Sequence, residues 1–532
     1  MSDGTPLPAG WTWASLGELL IGIEAGKSFK CQERPPHAYE VGVVKVSAVT
    51  WGEYQELESK TCTDTEMVNP ALFIQAGDLL FSRANTIELV GACVIARHVT
   101  LPLMLSDKIL RLKLARDSMK RWVLYLLRSD QGRRQIEALS SGNQESMRNI
   151  GQERIAQIRV PLPPFAEQTR IVEKLEELLS DLDAGVAELK AAQKKLALYR
   201  QSLLKAAVEG ALTADWRARR AARGEPLETG ADLLARILTE RRARWEARQL
   251  AKFKEQCKTP PKGWQAKYPE PAVPKTADLP ELPEDWVWTS VDALLFDIEA
   301  GKSFKCEERP PQDYETGVVK VSAVSWGEYD EEESKTCRDE TLVRPDLFIR
   351  EGDFLFSRAN TIELVGACLI ASRATKRIML SDKILRFRLA DDTLAPWLLT
   401  VLRGQIGRTQ IENLSSGNQD SMRNIGQERI RQILVPLPPK KEINEAERIL
   451  TACQEHAAGL AAALNHSLKQ FAAQRKNLLK AAFSGQLVPQ DPNDEPASAL
   501  LARIRAEREA RESPRQGRRV RKNTDAHSGA AP

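Results

Sequence analysis

Histidine is scarce in this chain, with five in 532 residues. The two that fall in repeated sequence, His37 and His98, are Gln312 and Arg373 in the second copy, which argues against a metal or histidine-based catalytic site common to both. No window of 18 apolar residues occurs, and Met1 to Trp11 has no apolar signal core, so the sequence reads as that of a soluble, cytoplasmic protein. None of the eight cysteines is spaced as CxxC. Six fall into equivalent pairs (Cys31 and Cys306, Cys62 and Cys337, Cys93 and Cys368), as small buried residues of two related domains would, and disulfides are not expected. Net charge is only +4, so composition alone does not announce nucleic acid.

Three catalytic motifs are missing as well. Ala25 to Ser28 reads AGKS, but a phosphate loop needs a glycine five positions before Gly26, where Ile21 stands, with Phe296 in the second copy. Leu162 to Phe165 reads LPPF, and leucine cannot hold the target amino group as the first residue of an amino-methyltransferase motif must; the second copy reads LPPK. Glu58 and Lys60 suggest half of a metal-dependent nuclease site, yet no aspartate lies between Asp3 and Glu58 to complete it.

What is present is a repeat at a constant offset of 275 residues. It opens as LPAGWTWAS at Leu7 and LPEDWVWTS at Leu282, and continues through EAGKSFKC (Glu24, Glu299), GVVKVSAV (Gly42, Gly317), SRANTIELVGAC (Ser82, Ser357), LSDKILR (Leu105, Leu380) and SMRNIGQERI (Ser146, Ser421). The chain is too long for one core, and a period this large means two whole domains. Within copy one, GVVKVSAV, DLLFSRA, ACVIA and KILRLKL read as strands, Ser118 to Leu139 as helix, SSGNQ as a polar loop and MRNIGQERIAQI as a short helix. The prolines of Val160 to Pro164 then mark a stiff boundary. Each copy is predicted to be an α/β domain of mixed sheet.

Phe165 to Leu212 contains no proline, and its apolar positions alternate by four and three: Ile171, Leu175, Leu178, Leu182, Gly185, Leu189, Ala192, Leu196, Tyr199, Leu203, Ala206. The same register 275 residues on gives a weaker seam from Ala446 to Ala481, which includes Leu460, Ser467 and Gln474. Two long antiparallel helices forming an intramolecular coiled coil are expected, each about 45 residues and so roughly 70 Å long. The predicted order is a first domain over 1–164, a first spacer helix over 165–214, a charged helical segment and Pro-rich linker over 215–285, a second domain over 286–439, a second spacer helix over 440–488, and a C-terminal helix with a disordered basic tail over 489–532. LLARI at Leu233 recurs at Leu500, so the helix after each spacer is also repeated.

Charge is local. Lys108 to Arg159 holds twelve Lys or Arg against five Asp or Glu, and Lys383 to Leu434 holds eight against five. Together with amides such as Asn143, Gln144 and Asn149, this suits phosphate contacts and base-edge hydrogen bonds, or else an ordinary basic surface.

The LPxxW openings, the SxRNI…IxxIxVPLPP closings, the helix start AEQTRIVEKLEELL and the helix ends SLLKAAVEGAL (Ser202 to Leu212) and NLLKAAFSGQL (Asn477 to Leu487) resemble the specificity subunit of a type I restriction-modification system. One departure is that Lys440-Lys441-Glu442 replaces Phe165-Ala166-Glu167 at the start of the second helix. The resemblance implies a non-catalytic subunit that reads bipartite double-stranded DNA. It also implies two modification (methyltransferase) subunits and restriction (translocase/nuclease) subunits as partners, in which S-adenosylmethionine, ATP and Mg would reside; no cofactor is expected in this chain. The alternatives are a free-standing DNA-modifying enzyme and a coiled-coil scaffold without nucleic acid.

The candidate DNA-binding residues are the polar and basic ones that both copies keep at loop positions: Lys27, Ser28, Lys30, Arg83, Asn85, Thr86, Asn143, Gln144, Arg148 and Asn149, with Lys302, Ser303, Lys305, Arg358, Asn360, Thr361, Asn418, Gln419, Arg423 and Asn424. Near-identical domains imply near-identical half-sites, hence an interrupted palindrome as target.

Overall fold

A computed structural model describes residues 6–37, 39–144, 147–225, 228–271, 273–274, 279–417 and 422–524. By its internal contacts the chain forms two compact units, residues 1–190 with 465–532, and residues 191–464. Each unit combines one α/β domain with parts of both long helices and with the helix that follows one of them.

In the first domain, Thr12–Ser15 (β1) opens the chain and pairs antiparallel with the closing strand Arg159–Leu162. Leu20–Ala25 (β2), Ile109–Leu114, Leu79–Ser82 and Cys93–Ile95 form a four-stranded antiparallel sheet in that order. Gly42–Val44 pairs antiparallel with Ser59–Thr61 and parallel with Leu103–Met104, so the domain is mixed as the sequence predicts. The second domain repeats these pairings with the same offset, for example Val287–Ser290 with Leu434–Leu437. Ser118 to Leu139 is broken into the helices Lys120–Arg128 and Asp130–Leu139, because Ser129 is extended and its hydroxyl caps the second helix at the Gly132 N–H.

The core of the first unit joins Trp11, Trp122 and the sheet leucines to Ile171, Leu175 and Leu182 of the long helix, and to Leu500, Leu501 and Ile504. Trp11 and Trp122 meet edge to face at 5.8 Å, as do Trp286 and Trp397 in the second unit. There, Leu233 and Ile237 pack into the core of the second domain. The helices Gly230–Glu255 and Ala497–Thr524 therefore bury the repeated LLARI stripe rather than serving as mere connectors. Ala497–Thr524 also carries helix past Arg511, where the basic composition predicts loss of regular structure. One charged side chain sits inside each sheet. Arg111 pairs with Glu24 and Asp78, and Arg386 with Glu299 and Asp353, while both guanidiniums also donate to backbone carbonyls.

The long helices are Phe165–Val208 and Lys440–Phe483, 44 residues each and in register with the repeat. The Lys-Lys-Glu start thus changes nothing about where the second helix begins. Both helices are anchored by their third residue: Trp11 Nε1 donates to Glu167 at 3.0 Å and Trp286 Nε1 to Glu442 at 3.0 Å. They contact each other in antiparallel sense within each unit. In the first, Arg475 pairs with Asp183, and the Phe471 ring fills the notch at Gly185, where an added Cβ would lie 3.0 Å from the ring. In the second, Arg200 donates to Ala457 O at 3.1 Å, and Leu203 and Ala207 cluster with Leu450. The expected seam slips by one at Leu178 and Ala206, where Leu179 and Ala207 are the buried residues. Tyr199 and Leu460, also placed in the seam, are exposed. A seam read at 3.5 residues per turn drifts off a straight 3.6-residue helix by about 20° per heptad, which moves burial to the adjacent position.

Candidate nucleic-acid interface

The candidate residues come from four distant stretches, and backbone hydrogen bonds bring most of them to one edge of the domain. Gly26 N donates to Ser106 O at 3.1 Å. A Cβ at Gly26 would stand 1.7 Å from Leu105 O, so the glycine of AGKS answers to the crossing of two backbones and not to a bound phosphate. Beyond this crossing, Lys27, Ser28 and Lys30 are exposed or nearly so, and the Ser28 hydroxyl donates to the Asp107 carboxylate. Lys108 O accepts from Arg83 N at 2.9 Å, and Arg83 O accepts from Ile150 N at 2.9 Å. Arg83 Nε then reaches Asn149 Oδ1 at 3.3 Å. The result is a continuous row: Lys27 and Ser28, Asp107 and Lys108, Arg83, Asn149.

The second domain builds the same row from Lys302, Ser303, Asp382, Lys383, Arg358 and Asn424. Ser303 donates to Asp382, Arg358 N to Lys383 O at 2.9 Å, Ile425 N to Arg358 O at 2.9 Å, and Arg358 Nε to Asn424 Oδ1 at 3.3 Å. Lys305 is exposed like Lys30.

SSGNQ, read from sequence as a loop, is a strand. Ser141–Gln144 forms a hairpin with Met147–Asn149, which pairs in turn with Ala84–Asn85, with Asn85 opposite Arg148. Gly142, at φ 146°, permits this close return, since a Cβ there would strike Met147 O at 2.3 Å. In the second domain Asn360 lies opposite Arg423, and Ser416 bridges to Asn424. The backbones of Asn143 and Gln144 lie on the hairpin strand, and Asn418 and Gln419 lie outside the described residues.

Several of the predicted side chains are committed internally. The Arg148 guanidinium donates to the Ser140 hydroxyl and carbonyl and to Gly142 O at 2.9 Å, and Arg423 repeats this on Ser415 and Gly417. Both hold the hairpin. Asn85 Oδ1 accepts from Thr86 N at 2.9 Å, as Asn360 does from Thr361 N, while the Thr86 and Thr361 hydroxyls are buried. The basic excess after Lys108 is likewise largely internal. Arg111 is buried, and Arg128, Arg133 and Arg154 donate to the backbone carbonyls of Cys93, Ile87 and Leu139. Arg133 also lies over the Trp51 ring at 4.5 Å.

Asp107 and Lys108, which occupy the middle of the row, are absent from the predicted set. Their signal was the recurrence of LSDK at Leu105 and Leu380. Glu58, weighed as half of a nuclease site, accepts from the Ser47 hydroxyl at 2.6 Å. Among the described residues, no three His, Cys, Asp or Glu side chains gather as a metal-binding group, and no helix is long and apolar enough to cross a membrane. Cys93 and Cys368 are buried as expected, whereas Cys31, Cys62 and Cys306 are only partly so.

Comparison with known proteins concerns the domain that carries this edge. A family model described as the type I restriction modification DNA specificity domain matches residues 37–191, which contain Arg83, the LSDK turn and the hairpin. Residues 37–191 thus match that domain, and the chain is similar to curated type I specificity subunits. It is 32% identical to the EcoEI specificity subunit of Escherichia coli over 190 residues, covering 35% of this chain and 32% of that one. To the EcoKI specificity subunit of Escherichia coli strain K12 it is 25% identical over 403 residues, covering 73% and 72%. A solved structure from work on complex assembly and conformational transition of the type I R-M system shares the fold, with a TM-score of 0.58 and 18% identity over 90% of this chain and 99% of that chain. The stretch matched to the specificity domain begins after Lys27 to Lys30, so that end of the row precedes it.

Proposed function

We propose that this chain is a specificity subunit that reads a bipartite DNA sequence, each domain taking one half-site with its row of Lys27, Ser28, Asp107, Lys108, Arg83 and Asn149 or the equivalent. The observation that carries the reading is that the row is built twice, from identical residues and with matching hydrogen bonds. Arg pairs well with guanine and Asn with adenine, and the Arg83–Asn149 and Arg358–Asn424 pairs supply both. Lys27, Lys30 and Lys108 suit phosphates. Arg148 and Arg423 serve by shaping the hairpin. In this reading the long helices, 44 residues and so roughly 66 Å each, act as a spacer.

Catalysis belongs to partner subunits in this reading. Two modification subunits would bring S-adenosylmethionine chemistry, and restriction subunits ATP-driven translocation and cleavage. Like domains reading opposite strands give an interrupted palindrome: a short half-site, several unread base pairs and the inverted complement. Mapping methylated adenines in a genome that carries this system tests the claim, and two unrelated half-sites would end it. The purified chain alone should transfer no methyl group and should support methylation once its modification partner is added.

A further inference from the structure

Beside the row, the first domain contains a cavity of about 240 Å³ whose wall includes Ser28, Phe29, Lys45, Lys60, Ser106 and Lys108. Three lysines, Lys45, Lys60 and Lys108, line it. Lys60 pairs with Glu33, which also lies 3.8 Å from Lys45, and Glu33 is 68% exposed. Lys108 has no side-chain hydrogen bond or ion pair among the described residues, and its backbone is fixed by Arg83 N. Ser106 is 5% exposed, and its hydroxyl has no partner among the described residues. Phe29 and Val43 to Val46 make the rest of the wall largely apolar, which strengthens attraction between charges placed there. All six named lining residues recur, as Ser303, Phe304, Lys320, Lys335, Ser381 and Lys383, and Glu308 pairs with Lys335 as Glu33 does with Lys60.

We propose that this cavity, in each domain, is a seat for one DNA backbone phosphodiester. The assignment rests on the DNA-reading function above and adds to it the group that fixes register. Three lysines against the two neighbouring carboxylates, Glu33 and the Asp107 that accepts from Ser28, leave an excess of one positive charge, and a cavity of this size suits a phosphate group better than a drug-sized ligand. In the free protein Lys60 is paired with the exposed Glu33 carboxylate, which lies outside the cavity lining. An arriving phosphate displaces it. Because Lys108 supplies both an ammonium to the cavity and the carbonyl that holds Arg83, seating the phosphate sets the depth at which Arg83 and Asn149 meet the bases.

The test uses the full chain, a duplex bearing the target found by methylation mapping, and a random duplex of equal length, with affinities measured across a salt series. Replacing Lys45, Lys60 and Lys108 by glutamine in one domain should flatten the slope of log affinity against log salt by about 0.9, a loss of roughly eightfold at 0.1 M salt, equally on both duplexes. The same changes at Lys320, Lys335 and Lys383 should do likewise. Glu33→Gln should tighten both complexes several-fold, an outcome that a purely structural role for Glu33 does not give. An unchanged slope in the lysine variants of a chain that itself binds DNA would overturn the phosphate seat and leave the DNA-reading function standing. A loss confined to the target duplex, with random DNA and its salt slope unaffected, would overturn it too, by assigning the lysines to bases. Absence of salt-dependent binding by the unmodified chain would instead sink the DNA-reading function.

Discussion

At the start of each long helix the same glutamate meets the same tryptophan in different company. Glu167 accepts from Trp11, and burial pushes its carboxyl pKa up against the pull of Trp11 and Gln490. Glu442, 1% exposed, accepts from Trp286, from the Thr213 hydroxyl at 2.6 Å and from Arg217. The rows proposed to read DNA, by contrast, repeat residue for residue. Change has therefore accumulated where helices are anchored and not where bases would be touched, and the two kinds of region can be set against each other experimentally.

The largest difference is expected at the anchors. Glu442→Ala strands a buried tryptophan N–H and a largely buried arginine, and should cost about 3 kcal/mol of unfolding free energy. Glu167→Ala removes the hydrogen bonds of Trp11 and Gln490 but strands no arginine, and the carboxylate it removes is one that burial already disfavours, so it should cost about 1 kcal/mol. Equal losses in urea melts would erase the contrast.

Next come changes for which the two domains should be indistinguishable. Gly26→Ala and Gly301→Ala each drive a Cβ onto a carbonyl, at 1.7 and 1.8 Å, and each should destabilise its own domain by about 2–3 kcal/mol, read by local hydrogen exchange. Arg83→Ala and Arg358→Ala should each weaken the target complex by about 1–2 kcal/mol while sparing random DNA. If one of the pair mattered and the other did not, the domains would not be reading like half-sites.

The smallest effect is acid sensitivity. Glu40 and Glu315 have carboxyl pKa values held down to about 2, first by the hydrogen bonds from Arg34 and Arg309 and then by backbone N–H groups. Their folded pKa is depressed, so this contribution is complete above about pH 4.5 and is lost as pH falls from there toward 2. Arg338 lies 3.9 Å from Glu315, whereas Thr63 holds that place in the first domain. Chemical shifts of Thr61 and Thr336 followed through acid titration should show the first domain releasing this loop at slightly higher pH.

The repeat, the strands around Leu79 and Ile109, and both long helices were legible because their signals are local: spacing, β-branched runs, missing proline. The hairpin at Ser141 was not, since its third strand is Ala84–Asn85, some 60 residues earlier in the chain. Arg148 stood out as a repeated arginine, but sequence does not reveal that its N–H groups are taken by carbonyls of its own hairpin. Asp107 and Lys108 were overlooked for the converse reason: their place in the row is set by Ser28 and Arg83, which neither spacing nor composition connects to them.

The pairing of Thr12–Ser15 with Arg159–Leu162 has a consequence for inheritance. Thr12 lies directly opposite Leu162, so the chain enters and leaves the domain through neighbouring strands, a few ångströms apart. Val287 lies opposite Leu437 in the same way. A domain with both ends at one seam is a cassette. Exchange of the gene segment between two such seams delivers a new reading surface whole, without rethreading the chain, and needs only one restored strand pair to be accepted. In the proposed reading, such an exchange replaces one half-site in a single recombination, while the long helices pass on unaltered.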